Sequence, residues 1–330
     1  MMEKKRPLFA EMGMSFFFGI AAIASKMGQS ERLMQMITRQ IQSPARKRKA
    51  FANYQPGAHD VFICTYAKSG TNWAMQIAQQ IAYYGEAEFE HIHDLIPWPD
   101  IPMPIPIVRL DDSRAWQLAP TNLRVIKTHL ESEYVPYSLP AKYILVLRDP
   151  KDVFVSSFYF GQGLINRVGL AYDVAGWLAQ FMSDHFFFDS WAAHTASFWP
   201  WRSRDNVLLL TFREMKNDLR GACQRMADLM QVTLTAEQLD LVVEKSSFGY
   251  MQSISHKFML ELPAFGEAQR PVLMRKGKSG AAGELLNKDQ QGQIDAFCQS
   301  ELKRLGSDFP YQSLFANTQI SSLEIDEVAD

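Results

Sequence analysis

Lys68, Lys127, His129, Arg148 and the pair Arg275 and Lys276 are the residues of this chain whose type and setting could do chemistry. Lys68 opens the polar turn Ser69, Gly70, Thr71, Asn72, which runs into Trp73. Lys127 and His129 close the short apolar run at residues 123–129, and Arg148 follows a second run at 143–147. Several cationic turns acting together can hold a nucleotide with phosphates at two ends, and a guanidinium suits a terminal phosphate because its fork binds two oxygens. A neutral imidazole can take a proton from an attacking hydroxyl, while lysines stabilise charge growing on a leaving oxygen. Each residue also has a plainer reading. His129 alone fits a hydrogen-bonded structural histidine, and residues 68–72 alone fit an ordinary strand-to-helix turn.

These side chains need strands and helices to position them. Val61, Phe62, Ile63 and Cys64 form an apolar run suited to a buried strand. After the turn, Trp73, Ile77 and Ile81 fall on one helical stripe, beside Ala74, Ala78 and Ala82. Strand, glycine turn, helix is an anion cradle, because the first helical N–H groups lack partners and that end of the dipole is positive. The turn is not a Walker A loop, since its lysine precedes the glycine. The run at 143–147 reads as a buried parallel strand ending at Arg148. Asp149 reads as an N-cap, Pro150 as the first helical residue and Asp152 as the capping-box partner. Ser156 falls in the second turn of that helix. Residues 207–212 read as another buried strand, followed by one helix with Leu219, Cys223, Met226 and Met230 and another capped by Thr235 with Gln238. Residues 181–201 read as an aromatic helical stretch that forms core or pocket wall, and 290–305 as a final helix before an acidic tail. Trp73, Phe212 and Phe248 are candidates to sandwich a base. Residues 252–290 lack periodicity and carry Arg275, Lys276 and Gly277, which suits a lid over an anion. The order of elements predicts a parallel α/β sheet with its anion loops at one edge.

The chain has 330 residues, of which 47% are hydrophobic, enough for a full core. A net charge of −2 excludes a strong bulk pull toward nucleic acid. The three cysteines at 64, 223 and 298 show neither zinc nor disulfide spacing, which implies a reducing compartment. His91, His93 and Asp94 are weak as a metal set, and no metal is expected. Residues 97–106, rich in proline, predict an irregular loop of the kind that covers a site. Residues 1–50 are set apart as a helical extension from a main domain at 51–330. Their apolar run at 14–24 and the basic cluster Arg46, Lys47, Arg48 and Lys49 leave three readings open. These are a signal-like segment, a peripheral contact with an anionic membrane, and an arm packed on the chain's own domain or on a partner subunit, the last being favoured.

Six segments, in order, resemble the cytosolic-type sulfotransferases. They are 66–73 (YAKSGTNW), 126–130 (IKTHL), 148–156 (RDPKDVFVS), 212–216 (FREMK), 246–248 (SSF) and 275–277 (RKG). The resemblance spans residues 58–280 and implies a P-loop-like α/β fold and the donor 3′-phosphoadenosine 5′-phosphosulfate (PAPS), with PAP as product. It implies that Lys68, Ser69, Gly70, Thr71, Asn72 and Trp73 hold the 5′-phosphosulfate. Arg148, Ser156, Arg275, Lys276 and Gly277 would hold the 3′-phosphate. Trp73, Phe212, Ser246, Phe248 and Met251 would surround the adenosine. His129 would be the catalytic base, with Lys68 and Lys127 stabilising the transferred group and no metal required. The chain departs from the family at Ala67, Asn72, Phe212 and residues 281–284, and its dimerisation pattern is not visible. The expected acceptor is a small apolar alcohol or phenol, an amine less so, and the expected location is the cytoplasm. A P-loop small-molecule kinase and a non-catalytic, membrane-docked nucleotide-binding module are the rival readings.

Overall fold

A strand that is apolar on both faces must be covered on both, and the sheet of this protein is built that way. The computed structural model describes residues 26–101, 107–166, 171–259 and 280–316, together with Ile23 and Met274. Its strands are β1 (Asp60–Thr65), β2 (Arg124–Thr128), β3 (Lys142–Leu147) and β4 (Val207–Thr211). They form one parallel sheet in the order β2-β1-β3-β4. Ile63 pairs with Lys127 on one side and with Ile144 on the other, so the ends of β1, β2 and β3 lie side by side.

The helices in chain order are α1 (Ser30–Ile41), α2 (Pro44–Ala50), α3 (Thr71–Ala82), α4 (Arg114–Gln117), α5 (Pro150–Ile165) and α6 (Val174–Phe181). They continue with α7 (Trp191–Phe198), α8 (Phe212–Asn217), α9 (Leu219–Met230), α10 (Ala236–Lys245), α11 (Phe248–Ser253) and α12 (Lys288–Arg304). Alternation along the strands sorts the core. Val61, Ile63, Ile144 and Val146 pack against Ile77 and Ile81 of α3, Met226 of α9 and Val242 of α10. Phe62, Cys64, Tyr143 and Leu145 face the other way, toward Phe198 and Trp201. Each such side chain stabilises the fold by roughly 1.5–3 kcal/mol through burial. A third cluster joins Val153 and Phe154 of α5 to Trp177, Trp191 and Ile294.

Several expectations need correcting. Phe212 does not end a strand. Thr211 and Glu214 form a capping box, so Phe212 starts the short helix α8. The aromatic stretch is not one helix, because Asp189 turns left-handed (φ 70°) and Ser190 caps a new helix by accepting from the Ala193 N–H. Asp152 does not close a capping box on Asp149. Its carboxylate instead accepts from the backbone N–H groups of Gly280 and Ala281, at 3.0 and 2.8 Å, pinning a distant segment to the start of α5. The final helix begins at Lys288, two residues early, because Asn287 and Gln290 form a capping box there. Residues 102–106, Arg275, Lys276 and Gly277, the acidic tail and all of the 14–24 run except Ile23 lie outside the described residues.

Candidate active site

The turn after β1 is shaped by two residues in the left-handed region, Lys68 (φ 67°) and Gly70 (φ 102°). A Cβ on residue 70 would lie 2.8 Å from Phe212 Cδ2, so only glycine fits both the φ and the space. The turn is held by the Ser69 N–H donating to Tyr66 O (3.1 Å) and by a 2.6 Å bond between the Thr65 and Thr71 hydroxyls. Among the described residues no side chain caps the start of α3, which leaves its first N–H groups available to an anion. Trp73 Nε1–H donates to Ser246 O (2.7 Å), and its ring meets Phe212 edge-on at 5.4 Å. Arg148 stacks on Phe212 (4.3 Å) and donates from Nη1 to Lys68 O (2.8 Å). The ends of β1 and β3 thus converge on one aromatic floor.

The end of β2 adds the remaining groups. His129 Nδ1–H donates to Thr65 O (2.8 Å), which leaves the lone pair on Nε2. Its backbone N–H donates to Asp100 Oδ2 (3.0 Å), and its ring stands edge-on to Trp98. Burial, and then Lys127 beside it, hold this imidazole well below the ordinary histidine pKa, so it is neutral at pH 7. Lys127 is buried with Nζ 3.3 Å from the centre of the Trp98 ring. Burial pulls its pKa down to about 7, opposed by Asp100. Lys68 lies over Phe160 (3.9 Å) and is also pulled down to about 7, by burial first and then by Arg148 and Lys127.

One cavity of about 770 Å³ runs through this region. Lys68, Gly70, Thr71, Asn72, Trp73, Lys127, His129, Arg148, Ser156, Phe212, Phe248 and Met251 all line it. Ser69 and Ser246 are buried behind its wall. The sequence reading missed Asp100, which holds His129, whereas Phe187 and Phe188, within the aromatic stretch read as a pocket wall, do line the cavity. It also missed Gln42 and Lys47 as lining residues. Asp100 had a faint signal, an acid inside a proline run. Lys47 had none, sitting in a basic cluster that reads as surface. His91 and Asp94 cap a tight turn, and the Nδ1–H of His93 donates to Ile96 O. Among the described residues no group of three or more histidine, cysteine or acidic side chains could hold a metal ion.

Residues 58–306 match the family model described as a sulfotransferase domain. The chain belongs to the sulfotransferase domain family. Sulfotransferase 2A1 of Macaca fascicularis is 29% identical over 264 residues, covering 77% of this chain and 88% of that protein. Sulfotransferase 2A2 of Mus musculus is 30% identical, covering 72% and 81%. Amine sulfotransferase of Oryctolagus cuniculus is 25% identical, covering 78% and 83%. In fold, the chain resembles a crystal structure of retinol dehydratase with androsterone and PAP, with a TM-score of 0.61, 21% identity and coverage of 81% and 87%. It likewise resembles mouse sulfotransferase SULT7A1 with PAP, with a TM-score of 0.59, 22% identity and coverage of 80% and 91%. This sulfotransferase is accordingly an enzyme of the PAPS-dependent class. Its own residues fit a nucleotide of that kind. Among the described residues, Ser69 Oγ and Ser246 Oγ are buried without a protein partner on the segments flanking Trp73, and no side chain caps the start of α3.

Proposed function

We propose that this sulfotransferase moves the sulfuryl group to the hydroxyl of a small apolar acceptor, with His129 as general base. The observation that carries this is the bond from His129 Nδ1–H to Thr65 O, which turns Nε2 into the proton acceptor of a neutral ring beside two lysines. PAPS supplies the activated sulfuryl group and leaves as PAP. His129 Nε2 takes the acceptor's proton as its oxygen bonds to sulfur, while Lys68 and Lys127 balance the charge passing to the departing phosphate oxygen. The uncapped start of α3, with Thr71 and Asn72, receives the 5′ end of the nucleotide. Arg148 and Ser156 take the 3′-phosphate, and Trp73, Phe212, Phe248 and Met251 hold the purine. Trp98, Leu130, Phe160, Phe187 and Phe188 make the acceptor side of the cavity apolar, which favours a phenol or alcohol over a charged glycan. An amine is a poorer fit to that wall. We place the protein in the cytoplasm; among the described residues no helix is long and apolar enough to cross a membrane.

Transfer from labelled donor to a phenol panel tests the reading. His129→Ala is expected to lower kcat/KM by about 10²–10⁴-fold with PAP affinity retained. Full activity in that variant would remove His129 from the role of base.

A further inference from the structure

The segment 41–47, from the last residue of α1 into α2, lies outside the 58–306 family match, yet it lines the cavity through Ile41, Gln42 and Lys47. Three of its side chains, those of Gln42, Arg46 and Lys47, fix it there against three neighbouring walls. Lys47 Nζ donates to both carboxylate oxygens of Glu131, at 2.8 and 3.0 Å, two residues beyond His129, and also pairs with Asp189. Gln42 Nε2 donates to Phe186 O at the start of the 186–189 turn. Arg46 Nη2 donates to Ile101 O (2.6 Å), next to Asp100 in the loop that carries Trp98. The Lys47 side chain is only 11% exposed, so its ion pairs are shielded from water rather than splayed on the surface. The walls it gathers include the segments that carry His129 and Trp98.

We propose that residues 41–47 form the distal wall of the acceptor compartment, that Ile41 sets the length of apolar acceptor admitted, and that Lys47 is the positioning residue clasping this wall to Glu131 and Asp189. The inference rests on the acceptor reading above. A segment held by three anchors to three loops is a rigid stop. Ile41 is the apolar residue among the three of this segment that line the cavity, and its size sets the room left for an alkyl tail. Each methylene that finds space is worth about a fourfold gain in affinity, and each that meets the stop gains nothing.

The test uses the full-length protein with 4-alkylphenols from ethyl to octyl. Their binding to the PAP complex is read by calorimetry, and turnover with PAPS is read in parallel. Ile41→Ala is expected to move the best chain length up by one or two carbons, and Ile41→Trp to move it down, with PAP affinity unchanged in both. Opposite shifts cannot come from partial unfolding. Lys47→Met is expected to raise KM for the longer phenols about tenfold while kcat for ethylphenol holds, and Lys47→Arg to restore most of the loss. An unchanged length profile in both Ile41 variants overturns the proposal. So does loss of PAP affinity in step with loss of phenol affinity. Length-dependent binding without turnover in the wild type would instead count against the transfer reading and leave the wall in place.

Discussion

Lys127 shows the tension at the scale of single residues. It is buried, and burial lowers its pKa from 10.5 to about 7. Between those values the unfolded chain binds the proton that the folded one releases. Stability therefore rises with pH across that window and declines as pH falls back toward 7. Lys127→Met removes that slope and a desolvated ammonium together. The variant is expected to be roughly 1–3 kcal/mol more stable at pH 7 by urea denaturation, and flatter between pH 7 and 10. Its kcat is expected to fall about 10²-fold, because the charge facing the leaving oxygen is gone. In the wild type, kcat/KM is expected to fall as pH rises above about 7, where free Lys68 and Lys127 lose their protons. His129 adds no acidic limb near neutrality, since its pKa lies well below the ordinary value. A kcat/KM profile still rising through pH 9 would contradict the lysine assignment.

Among elements, the turn between β1 and α3 is the least tolerant of change. Gly70→Ala forces a left-handed φ on alanine and pushes its Cβ against Phe212. The expected cost is about 1–3 kcal/mol of stability, seen as a lower Tm, together with weaker PAP binding, because the same turn aims the N–H groups of α3. The elements that position the site were legible in the sequence for physical reasons. Four apolar runs had to become buried strands, and three of them ended near the charges of Lys68, Lys127 and Arg148. What stayed hidden depends on contacts that span the chain. Asp152 has the spacing of a capping-box residue but is used by the backbone of residues 280 and 281. Phe212 looked like the last residue of a strand until Thr211 capped a helix onto it. Asp100 and Lys47 act through partners 29 and 84 residues away, and local patterning holds no trace of such pairs.

Over the whole molecule, a net charge of −2 coexists with Lys68, Lys127 and Arg148 around one cavity. The recognition is thus local, and it should distinguish nucleotides by where their phosphates lie. PAP at 100 times its Kd is expected to stabilise the protein by about 2.7 kcal/mol, visible as a rise in Tm. ATP with magnesium is expected to do much less, and equal or greater protection by ATP would favour a kinase.

The groups proposed for the donor stand on the ends of packed strands and at the starts of the helices that follow them. The groups proposed for the acceptor side come mostly from irregular chain at 98–101, from the turn at 186–189 and from the junction at 41–47. The first set cannot shift without disturbing the sheet, whereas the second can be redrawn residue by residue. Descent with modification can therefore try new molecules to label at little risk to the apparatus that supplies the label.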